Sequence, residues 1–71
     1  MQITQQQAQR ILTGEYAFTQ LGFSMMVTRL KGIYSKKPNQ ATLQDCAKEI
    51  NAFLQKFQAI MEKDHTTIAK I

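Results

Sequence analysis

The chain has no Trp, one Pro, one Cys, three Gly and five acidic residues, and each shortage excludes something. With Cys46 as the single thiol there is no internal disulfide framework, so no covalent staple supplements the core and an oxidising compartment is disfavoured. So little Pro and Gly beside 44% hydrophobic residues exclude a disordered or turn-rich β chain, and the composition reads as all-α. No apolar run approaches the ~20 residues that a membrane span needs. The start is Gln-rich, with Gln2, Gln5, Gln6, Gln7 and Gln9, where a signal peptide would be basic and then apolar. The expectation is a cytoplasmic protein without membrane contact.

Catalytic groups are equally scarce. His65 and Cys46 are nineteen positions apart on what reads as one helix, roughly 28 Å along its axis, so no Cys–His dyad is expected within one chain. Cys46 falls on an apolar stripe and reads as a small core residue. His65 has no second ligand one helical turn on, and no glycine-rich phosphate loop is present. These absences point away from an enzyme and away from a metal or other cofactor.

What the chain does have is apolar periodicity. Leu43, Cys46, Ala47, Ile50, Phe53, Leu54, Phe57, Ile60, Met61, Asp64, Ile68 and Ile71 recur at spacings of three and four, which is one stripe on a helix. Thr42 with Asp45 forms a capping-box pattern at its start, and Pro38 and Asn39 supply a turn just before. The spacing predicts an antiparallel helical hairpin forming a single domain over 1–71: helix 1 over about 4–35, a turn over 36–41, and helix 2 over about 42–70. An uninterrupted helix 2 would be roughly 40 Å long.

On a helical wheel, Leu12, Tyr16, Phe23, Met26, Val27, Leu30, Ile33 and Tyr34 gather on one side of helix 1, while Ile11, Ala17, Phe18, Leu21 and Met25 gather nearly opposite. The first side packs on helix 2. The expected core of the hairpin is therefore Leu12, Tyr16, Phe23, Met26, Leu30, Leu43, Ile50, Phe53, Leu54, Phe57, Ile60, Met61 and Ile68. The second side has nothing in the hairpin to cover it, so Ile11, Phe18, Leu21 and Met25, with Gly14, form the expected partner or oligomer interface. Two readings of Gly14 stand side by side: it ends a short extra N-terminal helix, or it lets a partner helix approach closely. A continuous or merely kinked helix 1 is the preferred reading.

A chain of 71 residues buries little surface, which favours completion of the bundle by oligomerisation or by a protein partner. Nine Lys and Arg against five Asp and Glu give +4, which admits an acidic partner without demanding one. Lys56, Lys63 and Lys70, spaced by seven with Lys48 close by, make a ridge on helix 2 that could follow a nucleic-acid backbone. Asp45 and Glu49 share that surface and no Arg or exposed aromatic interleaves, so a solvated face is preferred and nucleic acid is disfavoured. Asp64 on the apolar stripe implies either a frayed helix end or pairing with a partner's Lys.

From Leu30 onward the order Leu30, Ile33, Lys36, Lys37, Pro38, Asn39, Leu43, Asp45, Ile50 and Phe53, with Thr66, Thr67, Ile68 and Lys70 further on, resembles the small helical-hairpin proteins of bacterial type III secretion systems. Compared with the needle subunits, the loop is one residue shorter, its second proline is missing, and the C-terminal segment that packs into a filament core has no counterpart. The resemblance therefore implies a cytosolic co-chaperone ahead of a needle-like filament subunit. As such it would pair with a larger repeat-containing chaperone, help keep the needle subunit unpolymerised, and self-associate when alone. A dimeric hairpin that binds nucleic acid is the remaining alternative.

Overall fold

The computed structural model describes residues 2–56 and 62–71. The described residues are all-helical: α1 spans Gln5–Thr13, α2 Leu21–Lys36, α3 Gln40–Lys56 and α4 Glu62–Ala69. α1, α2 and α3 pack on one another pairwise, with α2 and α3 joined across the turn expected from the sequence.

Helix 1 is not continuous. Thr4 caps α1 through a reciprocal box with Gln7: the Gln7 amide donates to Thr4 Oγ1 at 3.1 Å and the Thr4 amide donates to Gln7 Oε1 at 2.9 Å. α1 then stops at Gly14, whose amide donates to the Arg10 carbonyl at 2.7 Å. A Cβ at Gly14 would lie 2.6 Å from the Tyr16 ring and 2.7 Å from the Arg10 carbonyl oxygen, so the glycine serves a close approach inside the molecule and not the approach of a partner. Residues 14–20 form a connecting segment, and α2 restarts with Gln20 as its cap, Gln20 Oε1 accepting the Phe23 amide at 2.6 Å.

The turn has a different cap from the one expected. Lys37, held out of helical geometry by the following Pro38, ends α2. Asn39, not Thr42, then caps α3, its Oδ1 accepting the Thr42 amide at 2.8 Å. Asn caps at least as well as Thr, so the earlier site wins and α3 begins at Gln40, two residues ahead of the expected start.

Helix 2 is described in two parts, α3 and α4. α3 runs to Lys56 and α4 starts at Glu62; the expected core residues Phe57, Ile60 and Met61 lie outside the described residues.

The core joins Ile3, Ala8, Ile11 and Leu12 to Phe23, Met26, Val27, Leu30 and Tyr34 of α2, to Leu43, Cys46, Ala47, Ile50 and Leu54 of α3, and to Ile68 of α4. Phe23 is its largest fully buried side chain, with Phe18 edge-on to it at 4.8 Å between ring centroids and Phe53 tilted against it at 5.5 Å. The N-terminal strap is held by Asn51 of α3, which accepts the Ile3 amide at 2.7 Å and donates to the Ile3 carbonyl at 3.2 Å.

Candidate interaction surface

The break at 14–20 redistributes the residues that the wheel had placed together. α1 no longer shares a helical phase with α2, so Ile11 and Leu12 both turn inward, and Ile11 is buried. Phe18, in the connecting segment, folds back on Phe23 and is half-buried. These two assignments to a partner interface are corrected by the fold. Tyr16, expected in the core, is 40% exposed because it lies in the same segment with its ring over Gly14. Ile33, from the core side of the wheel, is also exposed.

Leu21 and Met25 stay outside. They are 73% and 64% exposed and lie one turn apart on the side of α2 opposite Phe23 and Leu30. Thr28 and Gly32 continue that line, both exposed. Gly32 has open space around it: a Cβ there would meet nothing within 4 Å. A glycine inside a helix costs up to ~1 kcal/mol relative to Ala, and no contact with a described residue accounts for Gly32. Gly22 differs, since its Cβ would come 3.1 Å from Gln20 Oε1, so its small size leaves room for the Gln20 cap, while the Phe53 ring at 3.4 Å would be in ordinary contact.

The flanks of this outer side are polar and tied to the rest of the fold. Arg29 forms an exposed ion pair with Glu49 of α3. Lys31 donates to the Gly14 carbonyl at 2.9 Å, joining the 14–20 segment to the side of α2. Lys36, in the last turn, complements the negative end of the helix.

Asp64 is the residue that periodicity misread. It is fully buried, and its carboxylate accepts the Thr19 amide at 2.7 Å, the Thr19 hydroxyl at 3.0 Å and the Gln20 amide at 3.0 Å. Neither fraying nor a partner's Lys is involved; α4 supplies a cap to the entry of α2. The signal available in the sequence was Thr19-Gln20 directly ahead of the apolar run from Leu21, a helix start short of an acidic cap.

The remaining candidates do not converge. Cys46 is buried in α3 and its thiol is pushed up by burial, with the carboxylates of Glu49 and Asp45 adding to the effect. His65 lies on α4, with Nε2 buried and without a hydrogen-bond partner among the described residues. Among the described residues, no group of three His, Cys, Asp or Glu side chains is placed to hold a metal ion. Lys56 is the last residue of α3, Lys63 lies in α4 and Lys70 in the turn after it. No described helix is long and apolar enough to cross a membrane.

The chain matches no protein family, no curated protein and no solved structure.

Proposed function

We propose that the chain is a non-enzymatic protein-interaction module that docks a partner protein on the outer side of α2. The carrying observation is the pair Leu21 and Met25, large apolar side chains 73% and 64% exposed on a helix whose opposite side is fully committed to the core. Leaving such side chains in water forgoes up to about 1.5–3 kcal/mol each relative to full burial, which a partner recovers on binding. Ile11 and Phe18, counted as part of the same surface on the wheel, contribute to the monomer's own core, so the drive for self-association is smaller than the wheel implied.

The secretion co-chaperone is the specific form of this reading. Its support is the resemblance from Leu30 onward, which falls on the last turns of α2, the Lys37–Asn39 turn and α3. A larger chaperone or a needle subunit would then be the partner.

Photo-crosslinking from within the producing cell tests the docking reading. A benzophenone amino acid replacing Met25 is expected to capture one discrete protein, and the same group replacing the exposed Gln55 on α3 is expected to capture none. Equal, diffuse labelling from both positions would contradict a docking site on α2.

A further inference from the structure

The break at 14–20 is not imposed by its own residues. Residues 15–20 contain no Pro and no Gly. No described residue, Gly14 included, has the positive φ that a right-handed helix excludes. The apolar spacing also runs straight through the segment, with Ile11, Phe18, Leu21 and Met25 seven, three and four positions apart.

What keeps the segment out of a helix is tertiary. A helix carried through 14–20 would pair the Thr19 amide with the Glu15 carbonyl and the Gln20 amide with the Tyr16 carbonyl. Asp64 takes both amides instead, at 2.7 and 3.0 Å. Each amide has one hydrogen to donate, so the bonds to Asp64 and the helical bonds exclude one another. At the other end Lys31 Nζ donates to the Gly14 carbonyl at 2.9 Å, a contact across 17 positions of chain that a straight helix could not keep.

We propose that this clasp is a conformational switch, and that its release joins α1 and α2 into one helix that exchanges α1 between two copies of the chain. A straight helix carries α1 away from α2 and α3, on which it packs here. It thereby uncovers Ile3, Ala8, Ile11 and Leu12 together with the seat they leave. That seat fixes the occupant. It already fits α1 with its N-terminal strap, and the same segment of a second copy reforms the same contacts, the Asn51 bonds to Ile3 among them. The two forms then differ at the hinge, where the closed one holds the Asp64 and Lys31 bonds and the Phe18–Phe23 contact against the helical bonds of 14–20. The inference is independent of the docking reading, because the seat of α1 is not the side of α2 that carries Leu21 and Met25.

Two variants shift the balance from opposite sides. D64N turns a donor toward the amides that only the closed form holds there. G14A favours a helix through the break and, in the closed form, sets a Cβ 2.7 Å from the Arg10 carbonyl oxygen. Light scattering over a concentration series compares both with the wild-type chain, which is expected to be chiefly monomeric. Each variant is expected to raise the dimer association constant at least about tenfold, with the Cα shifts of residues 15–20 becoming helical. In dimers mixed from isotope-labelled and unlabelled copies, an NOE between copies is expected from Ile3 to Asn51, which meet within one copy in the monomer. Variants that stay monomeric with non-helical shifts at 15–20 would overturn the proposal. A dimer lacking the Ile3–Asn51 signal between copies would also overturn it, by placing the contact on an outer surface. Loss of helicity in both variants would do the same, because Asp64 and Gly14 would then support the fold itself and not a choice between two forms.

Discussion

The Asp64 carboxylate accepts the backbone amide of Thr19, 45 positions earlier in the chain, at 2.7 Å, in a place where Asp64 has no exposure to solvent. With the Thr19 hydroxyl and the Gln20 amide on the same carboxylate, α4 closes the open end of α2 and holds the 14–20 segment to the bundle. Asp64→Asn keeps the size but turns an N–H donor toward N–H donors. A loss of about 1–3 kcal/mol is expected. Thermal unfolding followed by circular dichroism checks it, since each kcal/mol shifts the midpoint by roughly 4–8 °C in a domain of this size. An unchanged midpoint would mean that the carboxylate contributes no net stability.

Gly14 and Gly32 should respond oppositely to alanine. At Gly14 the added methyl group meets the Arg10 carbonyl and the Tyr16 ring, and the backbone oxygen has little room to yield, so a loss of about 1–3 kcal/mol is expected. At Gly32 the methyl group enters open space, and the helix gains up to ~1 kcal/mol. Urea titrations of the two variants compare them directly; destabilisation by Gly32→Ala would show that something in the monomer lies over that position.

Phe23→Ala empties the centre of the aromatic cluster and should cost about 3–5 kcal/mol. That approaches the whole stability expected of 71 residues, about 4–10 kcal/mol at roughly 0.05–0.15 per residue. Phe18→Ala, at the cluster's edge, should cost about 1–2 kcal/mol. The ranking is read from denaturation midpoints, and a neutral Phe18→Ala would return that ring to the outer surface.

Cys46 should resist thiol reagents in the native state. Its side chain is buried and its thiol is held protonated above the ordinary range, first by burial and then by Glu49 and Asp45. A group raised in this way contributes stability that is fully present below the unfolded thiol's range and is lost as pH climbs through the raised folded value. Cys46→Ala should therefore show a flatter stability profile at alkaline pH than the parent chain. Rapid native-state labelling with a disulfide reagent, at a rate equal to that in urea, would contradict the buried placement.

Periodicity in the sequence was enough for the all-α class, the α2–α3 hairpin and much of the core, because Leu30, Leu43, Ile50 and Leu54 lie inside helices where one period holds. It failed where the chain breaks phase. A wheel drawn through residues 4–35 assumes one axis, and the stop at Gly14 gives α1 and α2 separate axes, which turned Ile11 and Phe18 inward and Tyr16 outward. Gly14 itself was the visible cue, since its need is steric and comes from Tyr16 two residues on. Asp64 was misplaced for a different reason: the three groups it accepts from, on Thr19 and Gln20, lie in the 14–20 connection, and the one sequence signal sat there and not in α4. On the outer side of α2, Leu21 and Met25 were legible as side chains that the hairpin does not cover, while Gly32 needed the open space around it to be seen.

The most direct test of the central claim, that the outer side of α2 is held free of the monomer's own core for a partner, is thermal unfolding of the double variant Leu21→Asp, Met25→Asp beside the parent chain. The account predicts the same helicity and a midpoint within a few degrees, because exposed substitutions of this kind usually change stability by only about 0.5 kcal/mol. Loss of helicity, or a collapse of the midpoint like that expected for Phe23→Ala, would place Leu21 and Met25 inside the fold and contradict it.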